Sequence, residues 1–234
     1  MASQTTIQID FAKPVPLFPL DRVVLLPHGV APLNVFELRY KQMVSDALDG
    51  SGLIAMGVFA GKHWLEEYHG RPPVRPAVCI GHIMNHLRQE DRNYLVILQG
   101  VCRARIVEEM PADEEKLYRR VMLEPVGIGV DEEEVGMLRD TFAEALETEP
   151  LKELRNASAL AEHLRNEDLP TSAVLELVTM ALIDDIETRY RLLEAGTPTE
   201  RAKIVSRELR DMARLLRMAQ PQREMSAPRG CWWN

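Results

Sequence analysis

The first half of the chain consists of short apolar runs separated by turn residues, a pattern that is typical of β-strands. Six such runs occupy residues 23–26, 53–59, 78–83, 94–100, 101–107 and 119–125. The polar stretch 88–93 separates two of them and predicts a hairpin. Prolines at 14, 16, 19, 27 and 32 lack an N–H, so we expect them at strand ends, bulges or edges.

A single helix is predicted among these strands. Asn34 is a suitable N-cap, Glu37 completes a capping box, and Gly50 suits the left-handed C-terminal position. The residues that share one helical face are Tyr40, Met43, Val44, Ala47 and Leu48. Many short strands with one early helix predict a partly closed β-barrel or a strongly bent sheet.

Beyond residue 130 the apolar positions recur every three to four residues, which predicts helices. Start signals precede each stripe: the acidic run 131–134, then Asn156, residues 170–172, residues 184–185 and residues 197–200. We predict a bundle of four or five helices. The chain is therefore divided into a β domain over residues 13–127, a helical bundle over 131–219 and a flexible tail over 220–234.

Composition places the protein among ordinary globular chains. It has 234 residues, of which 46% are hydrophobic and 27% charged, enough to bury a core without disulfides or metals. Its apolar runs are too short to span a membrane, and its N-terminus does not resemble a secretory signal. The three cysteines, Cys79, Cys102 and Cys231, are scattered and odd in number, which favours a reducing, cytoplasmic location.

Charge differs between the two halves. Residues 131–219 carry a net charge of −8, whereas residues 1–130 carry −1. A nucleic-acid partner needs a concentrated positive surface, so the overall balance argues against one.

The candidate catalytic and metal motifs are incomplete. The segment 57–63 resembles a phosphate loop, but three residues rather than four separate its glycines, and His63 replaces the hydroxyl residue. No serine has a recognisable nucleophile setting. His63 and His69 flank two glutamates, but His82 and His86 would lie about 13 Å apart along a strand. We therefore expect no catalytic residue, no cofactor and no metal.

Two ordered motifs carry a resemblance to a known family. Residues 16–27 read PLFPLDRVVLLP, and residues 32–40 read PLNVFELRY. Together they resemble the N-terminal substrate-recognition domain of Lon proteases, which opens with PLFPL, a V-V-L-x-P strand and P-L-x-I-F-E-x-R-Y. Further matches follow in order at 80–83, 98–106 and 118–125. The resemblance covers roughly residues 14–217.

The resemblance implies an α+β fold: a PUA-like bent sheet or pseudo-barrel followed by an α-helical bundle. In the full proteases an ATPase module and a Ser/Lys peptidase module follow, and this chain ends where those would begin. It therefore resembles a stand-alone, non-catalytic domain that binds unfolded polypeptide or a partner protein. The alternative is an RNA-binding protein, because PUA-like folds elsewhere bind RNA. Its patch would comprise Arg103, Arg105, Arg119 and Arg120. The oligomeric state stays open.

Four residues are candidates for partner binding. Phe59, Trp64 and Tyr68 place aromatic rings on one connection, where they either anchor a partner or cover the mouth of the barrel. Arg39 either clamps a peptide carboxylate or pairs locally with Glu37.

Two further features are left open. The pair 232–233 is Trp-Trp, which either docks on a chain or belongs to a disordered end. The last predicted helix carries a row of basic residues that either meets an acidic partner or is a solvated, internally paired face. These residues are Arg201, Lys203, Arg207, Arg210, Arg214 and Arg217.

Overall fold

The computed structural model describes residues 7–61, 64–66, 68, 70–112, 114–127 and 133–224. The strands are β1 (Val15–Leu20), β2 (Val30–Val35), β3 (Leu53–Val58), β4 (Ala77–Arg88), β5 (Tyr94–Glu109) and β6 (Arg119–Pro125). The helices are α1 (Leu38–Leu48), α2 (Glu133–Glu147), α3 (Ala157–Arg165), α4 (Thr171–Leu182), α5 (Ile186–Glu194) and α6 (Pro198–Glu224), with a 3-10 turn at Leu151–Glu153. The predicted α+β class is confirmed.

The described residues form two compact units. The first lies within Met1–Val130 and Asp184–Thr197, and the second within Asp131–Ile183 and Pro198–Asn234. Among the described residues, no helix is both long enough and apolar enough to cross a membrane.

The sheet of the first unit closes on itself. Its strand order is β2-β5-β4-β3-β1-β6, and β5 pairs with β6 as well. Closure depends on the length of β5, which spans 16 residues. The first half of β5 pairs with β2 and β4, and the second half pairs with β4 and β6. The ring encloses a core of Val15, Leu17, Leu53, Ala55, Val78, Ile80, Ala104, Val121 and Leu123.

Strand β1 contains two prolines, although it lies between β3 and β6. The strand is staggered: residues 15–17 pair with β6, and residues 17–20 pair with β3. Pro16 therefore pairs only with β6, and Pro19 pairs only with β3. Because one side of the strand is unpaired at each of these positions, a proline without an N–H is tolerated there. Pro32 lies in β2, the edge strand, as we expected.

The prediction of a strand at 23–26 was wrong. These residues belong to the connection between β1 and β2, where Gly29 N–H donates to the carbonyl of Leu26 at 2.9 Å. Leu25 and Leu26 are nevertheless buried. The apolar run therefore reflects packing of a turn into the core rather than pairing in a sheet.

The predicted start of the first helix was also wrong. Asn34 pairs with Leu95 within the β2–β5 ladder, and Glu37 is the N-cap of α1 without a side-chain cap hydrogen bond. Asn34 is thus part of the β2–β5 ladder, and it does not cap the helix. The predicted inner face is confirmed for four of its five residues: Tyr40, Met43, Val44 and Ala47.

The runs 94–100 and 101–107 were predicted as separate strands but form the single strand β5. The β4–β5 register shifts beside Gly81 and again near Met84, which bends the pair. Gly100 meets the carbonyl of Leu26 so closely that a Cβ there would overlap it.

The second unit packs α2, α3, α4 and α6 around Phe142, Leu146, Leu164, Val178 and Leu209. Arg139 of α2 donates to the carbonyls of Leu164, Asn166 and Leu169 at 2.5–2.9 Å. Its guanidinium thereby satisfies carbonyls at and just beyond the C-terminal end of α3.

Helix α5 belongs to the first unit, although the sequence placed it in the bundle 131–219. Asp185 caps this helix as predicted, since its carboxylate accepts a hydrogen bond of 2.7 Å from Thr188 N–H. Helix α6 continues to Glu224, beyond the predicted boundary at 219. The remainder of the predicted tail, including Trp232 and Trp233, lies outside the described residues.

Candidate functional site

The three predicted aromatic residues form one cluster in the connection between β3 and β4. The rings of Phe59 and Trp64 stack with centroids 4.7 Å apart and an interplanar angle of 3°. Tyr68 meets both edge-on, at 6.3 and 5.7 Å. Phe59 is buried, whereas Trp64 and Tyr68 are half-buried. Phe59 therefore packs the loop against the barrel, and the role of these three residues in partner binding stays a prediction.

Arg39 and Glu37 fasten this loop to the start of α1. The Tyr68 hydroxyl donates to Glu37 Oε1, and Arg39 donates to Glu37 Oε2 at 3.0 Å and to the Tyr68 carbonyl at 3.2 Å. The guanidinium also lies 4.6 Å from the ring centroids of Tyr40 and Tyr68. Burial, and then the hydrogen bond to Glu37, raise the pKa of Tyr68. Arg39 thus pairs locally, and its role as a peptide clamp stays a prediction.

A cleft of about 280 Å³ lies beside this network. Its wall carries Arg39, Arg71, Lys116 and Arg119. Glu109 accepts from Arg119 at 2.7 Å and lies 3.2 Å from Arg71, while Asp46 accepts from Lys116 at 2.7 Å. Burial by itself would raise the pKa of Asp46, but the hydrogen bonds from Lys116 and Tyr118 together lower this pKa below its usual value. The carboxylates neutralise most of the positive charge in the cleft.

His82 and His86, the described histidines among those considered for a metal site, do not converge. His82 and His86 lie in β4, four positions apart on an extended strand. Among the described residues, no cluster of three or more His, Cys, Asp or Glu side chains could hold a metal. His63 and His69 lie outside the described residues.

Two of the four arginines proposed for RNA binding, Arg103 and Arg119, donate hydrogen bonds within the first unit. Arg103 is buried and donates to the Leu192 carbonyl at 3.3 Å. Arg119 donates to Glu109 and to the Pro72 carbonyl, both at 2.7 Å. Their donors are directed to protein acceptors, which counts against a phosphate-binding surface.

The sheet presents an exposed apolar surface at its β2 edge. On this outer face, register pairs Pro32 with Ile97, and Leu95 with Leu87. Val30 continues the face along β2. Residues paired across antiparallel strands are neighbours on one face, so these five residues share a face with the polar residues Asn34, Asn85 and Gln99. We call the five apolar residues the outer apolar face.

The exposure of the outer apolar face is substantial. Val30 and Leu87 are 60% and 61% exposed, and Leu95 is 36% exposed. Two more exposed residues, Phe36 and Leu38, follow the end of β2. The opposite face of the same strands carries Leu33, Val96 and Leu98 and is buried. Exposed apolar residues grouped on one face are typical of an interaction site.

Sequence reasoning missed this face, although a signal for it exists. Residues 94–98 read Tyr-Leu-Val-Ile-Leu, with no polar residue at the alternate positions. A strand with one face in water normally alternates between apolar and polar residues. An unbroken apolar run next to a predicted hairpin therefore indicates a second apolar face as well as the core.

Comparison with known proteins agrees with the fold. The family model for the ATP-dependent protease La (LON) substrate-binding domain matches residues 14–211. The N-terminal domain of Mycobacterium avium complex Lon protease superposes with a TM-score of 0.65 at 19% identity, covering 85% of this chain and 99% of that one. A Lon N-terminal domain protein from Xanthomonas campestris gives 0.54 at 20% identity, covering 82% and 95%.

Two full-length relatives are similar in sequence. Lon protease 2 of Myxococcus xanthus is 26% identical over 202 residues, which cover 79% of this chain and 23% of the relative. The Lon protease of Anaeromyxobacter dehalogenans (strain 2CP-C) is 24% identical over 212 residues, covering 90% and 24%. The chain spans about a quarter of the length of these relatives. On the family match across most of its residues, the chain belongs to the Lon substrate-binding domain family.

Proposed function

We propose that the first unit binds unfolded polypeptide without catalysing a reaction on it, and that the outer apolar face is the contact surface. The observation that carries the proposal is the cross-strand surface of Val30, Pro32, Ile97, Leu95 and Leu87. A folded protein hides most of its apolar side chains, whereas an unfolded segment offers them. The outer apolar face therefore distinguishes unfolded from folded polypeptides by their exposed apolar groups, and it does not require a particular sequence.

The magnitude of binding follows from the area available. Burying one Leu or Val side chain contributes roughly 1.5–3 kcal/mol, and ordering a flexible ligand offsets part of it. Three or four such contacts correspond to affinities on the order of micromolar. Binding of this strength suits a domain that samples many polypeptides.

The face, rather than the edge of the sheet, is the proposed contact. Strand β2 is the edge strand, but Pro32 lies in its middle and has no N–H to donate to an added strand. Side-chain contacts across β2, β5 and β4 do not need that donor.

A reducing, cytoplasmic location is part of the proposal. Cys79 and Cys102 are free thiols on the paired strands β4 and β5. Cys79 is buried and Cys102 is half-buried, which suits inert thiols rather than a disulfide framework.

The test compares an unfolded protein with its folded counterpart. Fluorescently labelled, reduced and carboxymethylated α-lactalbumin is titrated with the chain and followed by anisotropy, with native α-lactalbumin as the folded control. We expect micromolar binding of the unfolded form alone. The variant L87T/L95T should weaken this binding about tenfold or more, because two apolar contacts are lost.

The matched control is V107T, which alters a side chain on β5 that is 63% exposed but lies away from the outer apolar face. This variant should bind like the wild type. Equal binding of folded and unfolded α-lactalbumin, or equal losses in V107T and L87T/L95T, would overturn the proposal.

A further inference from the structure

The second unit contains a groove that the first unit's binding surface does not involve. The groove has a volume of about 690 Å³ and lies between α2 and α6. Phe142, Ala145 and Leu151 line it from one side, and Leu209 and Ala213 line it from α6. Its floor is therefore apolar and built from helices that belong to one compact unit.

One wall of the groove is strongly basic. Lys203, Arg207, Arg210 and Arg217 line it, at spacings of four, three and seven residues that keep them on one side of α6. All four side chains are exposed. Within the described part of the chain, none of the four pairs with a carboxylate; Arg210 donates to the Ser206 carbonyl of its own helix at 3.1 Å. Glu149, the acidic residue of the lining, is paired with Lys152.

The positive charges of the stripe repel one another, and Asp211, four residues after Arg207, offsets part of this repulsion. Like charges at spacings of three and four residues destabilise a helix by roughly 0.2–0.5 kcal/mol per pair. Arg214 extends the same side of the helix, although it does not line the groove. An anionic partner would relieve this repulsion along the whole stripe.

The opposite wall carries short side chains. Thr141 and Ala145 of α2, and Thr148 just after its end, line the groove there, beside the acidic Glu149. Small residues let a second helix approach closely. The basic stripe from Lys203 to Arg217 is about 21 Å long at 1.5 Å per residue, which is longer than a small amphiphile and matches about four turns of helix.

We propose that the groove between α2 and α6 binds an acidic amphipathic helix of a partner polypeptide. Its apolar side chains fill the floor beside Phe142 and Leu209, and its carboxylates pair with Arg207, Arg210 and their neighbours. Charge complementarity along one wall sets the orientation, and the apolar floor supplies affinity. This proposal does not rest on the outer apolar face, because the residues belong to different units.

The test uses a fluorescein-labelled 18-residue peptide with Leu at the first and fourth heptad positions, Glu on the flanks and Ala elsewhere. We expect micromolar binding to the full chain that weakens as salt is added. The double variant R207E/R210E should weaken it at least tenfold. The variant A145F, which fills the floor and leaves the charges unchanged, should weaken it to a similar extent. Circular dichroism confirms that each variant is folded.

Matched controls separate this groove from general charge effects. Arg155 is exposed in the same unit and does not line the groove, so R155E should bind the peptide like the wild type. L87T/L95T should also leave peptide binding unchanged, while R207E/R210E should leave binding of unfolded α-lactalbumin unchanged. A peptide with the same composition in scrambled order should bind at least tenfold more weakly.

Several results would overturn the proposal. Equal losses in R155E and R207E/R210E would show non-specific charge attraction. Stoichiometric binding of dodecanoate, with no binding of the peptide, would identify a small anionic amphiphile as the ligand. A tenfold gain in peptide affinity on removing residues 225–234 would identify that segment as the occupant.

Discussion

The Tyr190 hydroxyl accepts a hydrogen bond of 2.8 Å from the backbone N–H of Ala77, and thereby joins α5 to the first residue of β4. Both residues are buried. The Arg75 guanidinium lies 3.3 Å from the centroid of the Tyr190 ring and donates to both oxygens of Glu187 at 2.7 and 2.9 Å. Helix α5, which follows 53 residues of the second unit in sequence, is therefore held on the sheet by specific polar contacts.

The first prediction concerns this hydrogen bond. The substitution Tyr190→Phe leaves the buried Ala77 N–H without its acceptor, which should lower the free energy of unfolding by about 1–3 kcal/mol. Urea unfolding followed by circular dichroism measures the change. Tyr94→Phe is the control: this ring is half-buried, and its loss of a hydroxyl should cost less than about 0.5 kcal/mol. Equal stability of Tyr190→Phe and the wild type would contradict the assigned role.

The second prediction concerns acid stability. The hydrogen bonds from Arg75 hold the pKa of Glu187 below its ordinary value of 4.5. A lowered carboxyl pKa contributes stability above the unfolded-state pKa, and that stability is lost as the pH falls through the folded-state pKa. Glu187→Gln should therefore be slightly less stable than the wild type at pH 7 and equally stable near pH 3.

The size of this effect is small, because the Glu187 side chain is 64% exposed and solvent screens the pair. We expect no more than about 1 kcal/mol at pH 7. Glu90→Gln, which alters an exposed residue of the β4–β5 hairpin, provides the comparison in a series of urea titrations from pH 3 to 7. If the difference in the free energy of unfolding between Glu187→Gln and the wild type increased toward pH 3, this prediction would be contradicted.

The third prediction concerns Gly100. Its N–H donates to the Gly29 carbonyl at 2.8 Å, and its carbonyl accepts from His28 N–H at 2.9 Å. A Cβ at this position would overlap the Leu26 carbonyl, and that neighbour is backbone. Gly100→Ala should lower the free energy of unfolding by about 3 kcal/mol or more.

Gly50 is the matched position for this experiment. A Cβ there would lie 3.4 Å from its nearest neighbour, which is ordinary contact. Gly50→Ala should therefore change stability by less than about 1 kcal/mol. Similar losses for both alanine substitutions, measured by urea unfolding, would show that the turn at 26–29 adapts to a side chain at position 100.

The fourth prediction concerns thiol reactivity. Burial raises the pKa of Cys102 to about 11, against an ordinary value of 9.0 for an unfolded thiol. The thiolate is the reactive form, so alkylation by iodoacetamide at pH 8 should be roughly 100-fold slower in the folded chain than in urea. Mass spectrometry of the Cys102 peptide measures the rate. Comparable rates in both conditions would show that this thiol is not shielded.

The sequence correctly predicted those features of the helices that depend on local side-chain patterns. The inner face of α1 could be predicted because its buried residues Tyr40, Met43 and Val44 recur at helical spacing. The start of α5 could be predicted because Asp185 caps the helix through a local hydrogen bond. Local chemistry of this kind does not depend on the rest of the fold.

The incorrect predictions concern residues whose secondary structure is determined by tertiary contacts. Leu25 and Leu26 are buried without being in a strand, and Asn34 takes part in a ladder rather than a cap. Strand β1 tolerates Pro16 and Pro19 because of its staggered pairing, which only the register reveals. Likewise, Leu87 and Leu95 become neighbours on one exposed face only once β4 and β5 are paired.

The placement of α5 also constrains how the polypeptide matures during translation. The chain leaves the first unit near residue 130, returns at 184 and leaves again at 198. All six strands are therefore synthesised before α5, which leaves the ribosome only after three helices of the other unit. Until Tyr190 emerges, the amide of Ala77 lacks its native acceptor, so a nascent chain arrested before that residue lacks the helix that completes the first unit.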